Sequence, residues 1–218
     1  MVVSRGSRIE AAGTSAAPII MTSLQDVVGE PIAPGQWGGL VLLGNAPSNK
    51  CPTDGTACAR EVEGVADAFY GGTDTADNSG TLQYVVVKNS GFEVEPGNEL
   101  NGITFGGVGS GTTVNNIQVH NSSDDGVEFF GGNVDVKYLV LTDVQDDSID
   151  WDNGFQGRIQ YVVVKQAADD SVPNDDVLQM FKDYIGAVEV DTSEIDELKG
   201  KVFGHLFLLA PLAVDIIQ

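Results

Sequence analysis

The sequence predicts an all-β protein, a right-handed parallel β-helix with coils of about 22 residues. Three observations lead there. Residues 117–125, 139–147 and 162–170 align, each an apolar strand ending in paired aspartates; the pairs begin at Asp124, Asp146 and Asp169, in steps of 22 and 23. After the first two pairs comes a second short strand, at 126–130 and again at 148–152. The connections are Gly, Asn and Asp, without the Leu and Asn spacing or the helical segments of leucine-rich repeats, which share the period. Each coil is thus two or three short strands and their turns.

The elements follow in order. Residues 1–4 and 8–11 read as strands either side of a turn at Arg5-Gly6-Ser7, so the chain opens in mid-coil, as a gene fragment lacking its natural N-terminus would. No basic region followed by an apolar run marks a signal peptide. Residues 19–23 and 39–44 are apolar runs bounded by turn residues, the pattern of strands covered on both edges by neighbouring coils. From about 45 to 80 the pattern dissolves into Pro, Asn, Asp, Thr and Gly, one long excursion in which 59–70 reads as a short helix. Coils resume at 81–87, an insertion spans 92–99, and 102–105 is again a strand. Long loops on a regular scaffold are where binding and catalysis concentrate.

The β-helix is expected over residues 1–170. Residues 171–218 are expected to form a helical C-terminal cap or tail. Val177, Leu178, Phe181, Tyr184 and Ile185 have helical spacing, and Ser193 can N-cap a second helix. Such a cap would hide the last coil's apolar cross-section; a foreign tail is the alternative. The apolar stretch 202–217 holds His205, Pro211 and Asp215, too short and interrupted to span a bilayer.

Eleven Lys and Arg stand against 32 acidic residues, a formal charge of −21. Nucleic acid and anionic membrane would be repelled; cations and saline surroundings are favoured. Cys51 and Cys58, in a Pro/Thr/Gly loop, can close a small disulfide ring, as in an exported protein; they are too few and wrongly spaced for structural zinc.

Several stretches resemble the coils of secreted or cell-surface bacterial β-helix proteins with a pectate-lyase-like fold. They are residues 8–14 with 17–23, Gly35-Gln36-Trp37-Gly38-Gly39-Leu40, residues 77–84, 98–103 and 124–132, and Asp146-Asp147-Ser148-Ile149-Asp150-Trp151. The likeness covers roughly residues 2–170 and implies fold and an exported location; activity in that family is largely unassigned, and the tail from Ser171 departs from the further coils it would imply.

The aspartates are the sharpest chemical feature. Residues one coil apart stack about 4.8 Å apart, which puts Asp124, Asp146 and Asp169 in one column and Asp125, Asp147 and Asp170 beside it. Carboxylates that close repel by roughly 1 to 3.5 kcal/mol, depending on the local dielectric. Three arrangements relieve this. Each Asp can cap its turn; Asp124, Asp125, Asp146 and Asp147 can bind calcium; or Asp124, Asp125 and Asp147 can split their pKa values into acid and base for polysaccharide cleavage. Polygalacturonase-like enzymes of this fold place similar aspartates on adjacent coils, but their Gly-His-Gly and Arg-Ile-Lys motifs are missing here. For a lyase base the few candidates are Arg158, Lys137 and Lys165. Trp37, Tyr70, Phe130 and Trp151 could stack on sugar rings, and Phe129 and Trp151 share a column. The glycine run 106–112 has no helix after it and reads as a turn rather than a phosphate cradle. The expected function is an exported β-helix scaffold or glycan-binding surface protein with polysaccharide as partner; a polysaccharide hydrolase or lyase is the alternative. An ice- or mineral-binding solenoid is disfavoured by the lack of a Thr-x-Thr ladder.

Overall fold

A computed structural model of the chain describes residues 1–54, 56–166 and 207–208. In chain order these residues form β1 (Val2–Val3), β2 (Ile9–Ala12), β3 (Ile19–Met21), α1 (Leu24–Val28), β4 (Leu40–Leu43), β5 (Arg60–Glu61), β6 (Phe69–Tyr70) and β7 (Gly80–Lys88). Then come β8 (Glu93–Glu95), β9 (Asn98–Glu99), β10 (Ile103–Gly106), β11 (Thr113–His120), β12 (Val127–Phe130), β13 (Val136–Thr142), β14 (Ile149–Asp152), β15 (Ile159–Lys165) and β16 (Phe207–Leu208). The chain alternates between two sheets. Sheet A runs β1-β4-β10-β12-β14; sheet B runs β16-β15-β13-β11-β7-β2, with β3 also on β7. Every pairing within them is parallel except that of β16 with β15. Ile117 pairs with Leu139, and Leu139 with Val162, so the repeat period becomes the coil. The helices expected at 175–187 and from Ser193, and with them Asp169, Asp170 and His205, lie outside the described residues.

The core lies between the sheets. Sheet A sends in Leu40, Leu42, Ile103, Phe105, Val127 and Phe129, and sheet B sends in Leu82, Val85, Ile117, Val119, Leu139 and Leu141. Phe129 stacks between Phe105 and Phe155, with ring centroids 5.0 and 4.4 Å away. It also pairs with Trp151, the column expected from the repeat.

Sheet B strands bend once per coil. Register passes over Tyr84, Asn116, Tyr138 and Tyr161, which therefore occupy one column, all with left-handed backbones (φ 48°, 54°, 59° and 64°). The bend resets the alternation, so that Val114, Ile117 and Val119 all face inward. A side chain at such a φ costs roughly 1–2 kcal/mol, and bulky residues are rare there.

A second left-handed column, Asn89, Asn121 and Asp143, follows the sheet B strands. Asn89 is fully buried; its Oδ1 accepts from Asn121 Nδ2 (2.8 Å) and its Nδ2 donates to Thr22 Oγ1 (3.2 Å). Asn89→Ala should destabilise by about 2–4 kcal/mol, combining left-handed strain with orphaned partners. Asn89→Gly, which removes the strain alone, should recover part of the loss in a denaturant titration. Equal costs for the two would show that backbone conformation is not a factor.

The excursion contains no helix at 59–70. Left-handed residues at Gly64 (φ 70°) and Asp67 (φ 59°) interrupt it, and β5 pairs antiparallel with β6. Alternation then turns Val62, Ala68 and Tyr70 onto Val41, Leu43 and Phe130, covering the outer face of sheet A. Cys51 and Cys58 are joined in a disulfide, and Arg5 Nη1 donates to the carbonyls of Cys58 (2.6 Å) and Gly71 (2.9 Å), tying the excursion to the first coil.

Candidate carboxylate centre on sheet A

The outer face of sheet A is buried at Val41, Leu43, Thr104, Glu128 and Phe130, which is unusual for a strand face that carries an acid. Register stacks Val41, Thr104, Glu128 and Asp150 in one outward column. At the turn entering these strands, Gly102 N–H donates to Asp125 O (2.8 Å) and Gly126 N–H to Asp147 O (2.9 Å), which aligns Asn101, Asp125 and Asp147. Carboxylates from two adjacent turns and two adjacent strands therefore converge. Asp124, Asp125 and Asp146 have oxygens within 4.8 Å of one another, as do Asp125, Glu128 and Asp150, so Asp125 belongs to both groups.

Burial sets their charge. Asp125 and Glu128 are 8% and 7% exposed. Burial first, then Glu128, Asp124, Asp150 and Asp147, push Asp125 up to about 10. Burial and then Asp150 push Glu128 up to about 9, against a hydrogen bond from Asn101. Asp124 rises to about 7 through burial, then Asp146, Glu99 and Glu63. Asp150 and Glu63 are raised too, burial again the leading cause. At neutral pH the inner two carboxyls are protonated unless a cation replaces the protons.

One polar atom decides what the centre lacks. Asn101, 3% exposed, donates through Nδ2 to Glu128 Oε2 (2.5 Å) and Thr104 Oγ1 (3.2 Å), while its buried Oδ1 has no hydrogen-bond partner. Carboxyl groups crowd the centre, and a buried orphan acceptor is costly. The donor set therefore fits a hard cation, which takes carboxylate and amide oxygens. Asp125, Glu128 and Asp150, with Asn101 beside them, would hold it inside; Asp124 and Asp146 would hold it at the rim.

The roof is formed by the excursion and the β8–β9 hairpin, joined by Gly64 N–H donating to Asn98 Oδ1 (2.7 Å). Beneath it lies a cavity of about 470 Å³, lined by Arg60, Glu61, Glu63, Tyr70, Asn98, Phe130 and Asn153 among others. Glu63 joins the two features, since it lines the cavity and its charge reaches Asp124 and Glu128.

A β-helix is also what comparison with known families returns. The family model of the pectate-lyase-like β-helix domain matches residues 1–183. The chain belongs to that family. No curated protein and no solved structure matches it.

On this β-helix the aspartates singled out in sequence take different parts. Asp124, Asp125 and Asp146 come together. Asp147 stands outside both groups, though close enough to raise Asp125, whose Oδ1 accepts from the Asp147 N–H (3.0 Å). Asp125 thus caps a turn and belongs to both carboxylate groups. Arg158 is ion-paired with Asp135 (2.5 Å), and Lys137 and Lys165 lie on sheet B, so none of the three stands over the carboxylates. Trp37 donates to Lys88 O (2.6 Å) and packs on the core, and Tyr70 and Phe130 pack under the roof. The exposed aromatics of sheet B are instead Tyr138 and Tyr161. Glu128, Asp150 and Asn101 were not anticipated, although Glu128 and Asp150 occupy the same place in successive repeats.

Proposed function

We propose that this protein is an exported β-helix scaffold that binds acidic polysaccharide through a calcium ion held on the outer face of sheet A. The observation that carries the proposal is the convergence of buried Asp125 and Glu128, half-buried Asp150 and the orphaned Asn101 Oδ1, opening at Asp124 and Asp146. A formal charge of −21 repels a polyuronate, so only a shared cation makes that partner favourable. The cation would supply positive charge and open coordination positions; the chain's carboxylates hold it, and the roofed cavity gives a sugar ring polar and aromatic walls. The Cys51–Cys58 disulfide supports an oxidising location.

The test is affinity electrophoresis through polygalacturonate. Retardation is expected in calcium, and should be lost on chelation and in an Asp124→Asn/Asp146→Asn double variant. Retardation that survives chelation would contradict it. A second reading, glycoside hydrolysis, is favoured by Asp124 alone, a carboxyl raised to about 7 beside Asp146. Release of reducing ends that Asp124→Asn abolishes would establish it.

A further inference from the structure

The tyrosine column on sheet B is used by nothing so far described. Tyr138 and Tyr161 stack on each other, ring centroids 4.9 Å apart and planes 9° from parallel, yet they remain 50% and 43% exposed. Core packing does not require them, since their strands bury Leu139, Leu141 and Val164 instead. Each is held in a backbone conformation that bulky side chains avoid, and such strain collects at functional positions.

The column has four positions, and the second is not aromatic. Tyr84, Asn116, Tyr138 and Tyr161 succeed one another coil by coil. The coil carrying Asn116 lies between those of Tyr84 and Tyr138, which are therefore roughly 10 Å apart, two strand spacings. One face of Tyr138 is taken by Tyr161. The other is directed to the coil of Asn116, where a short side chain leaves out one aromatic rung. A groove of about 390 Å³ opens there, lined by Thr113, Asn115, Asn116, Asp135, Lys137 and Tyr138. Asn115 Oδ1 is buried in this lining with no hydrogen-bond partner. A flat ring in the groove would lie against Tyr138 at the spacing of the existing stack, with hydroxyl and amide groups around its edge.

We propose that the groove at Asn116 is a second glycan site, in which one pyranose ring of an uncharged polysaccharide takes the missing rung against Tyr138. Stacking on an aromatic face with amide and hydroxyl groups at the rim is the chemistry of sugar recognition. An uncharged chain fits because the protein's overall charge repels polyanions and Asp135 is already paired with Arg158. The site owes nothing to the carboxylate centre on sheet A, so the two readings fail separately.

The experiment titrates the full chain, in chelator, with neutral cello-, xylo-, manno- and galacto-hexaoses, following heat and the NMR signals of tyrosine rings. At least one hexaose is expected to bind and to perturb Tyr138. Asn116→Tyr, which fills the rung in the backbone conformation its neighbours already use, should abolish binding, and Tyr138→Leu should weaken it by about tenfold or more. Asp124→Asn/Asp146→Asn should bind unchanged. No binding by any hexaose at millimolar concentration, binding that Asn116→Tyr leaves intact, or ring perturbations confined to Tyr70 would each overturn the proposal. Should Asn116→Tyr not fold, Tyr138→Leu and the ring signals decide alone.

Discussion

Lowering the pH from 8 to 5 will stabilise the metal-free protein. Most proteins with paired carboxylates behave otherwise over that range, and the sign follows from which state holds the protons. Asp125 and Glu128 titrate near 10 and 9 when folded and near 4 when unfolded. Between about pH 4 and 9 the folded chain therefore binds more protons than the unfolded chain, and stability falls as pH rises. Below about pH 4 the benefit levels off, while Asp26 and Asp135, lowered by hydrogen bonds from Lys88 and Arg158, begin to lose theirs. Glu128→Gln should stabilise the metal-free protein at pH 8 and flatten the profile by one group's slope. Calcium should oppose the alkaline loss, stabilising by about 2.7 kcal/mol at one hundred times Kd, and its effect should fade towards pH 5 as protons compete. Magnesium should do less, because it demands regular octahedral geometry. Thermal melts at constant ionic strength in wild type and Glu128→Gln measure all of this. A wild-type melting temperature that rises from pH 5 to pH 8 would refute it.

Phe129→Ala should be the most damaging single core substitution, costing roughly 3–5 kcal/mol. Phe129 is fully buried and its ring is covered on both sides by Phe105 and Phe155, so neither transfer from water nor ring stacking is recovered. Collapse into the space is limited, because Phe105 and Trp151 are fixed by parallel pairing on either side. The adjacent Phe130→Ala, under the excursion, should cost less and should loosen Tyr70, its ring neighbour 6.1 Å away. Urea titrations of the two variants measure the order. Equal costs would mean that the roof is packed as tightly as the core.

The β-helix was legible because its coils repeat side chains as well as length. Ile117, Leu139 and Val162 read as one column and form one. The excursion was not legible, because Val62 and Tyr70 find their partners at Val41, Leu43 and Phe130, far away in sequence, and the apparent helical spacing at 59–70 yields to left-handed turns. The carboxylate centre was half visible. Paired aspartates announced Asp124, Asp125 and Asp146, while Glu128 and Asp150 sit singly in the short strands that follow, on the outward face of sheet A. That face is buried only because a distant loop covers it. Asn101 stacks with Asp125 and Asp147 but precedes the regular part of the repeat, and so escaped notice. The tyrosines were visible in principle, since Gln83-Tyr84-Val85, Lys137-Tyr138-Leu139 and Gln160-Tyr161-Val162 share a repeat position. Only the backbone shows that each is held at a left-handed bend.

Protons and a hard cation are expected to compete for the centre built by Asp125, Glu128 and Asp150. Isothermal calorimetry of calcium binding at pH 7.5, run in two buffers of different ionisation enthalpy over roughly 0.15 M monovalent salt, counts the protons released as the cation enters. One saturable site and about one to two protons released per calcium are expected, falling by about one in Glu128→Gln. Saturable binding without proton release, or heat that monovalent salt reproduces, would contradict it.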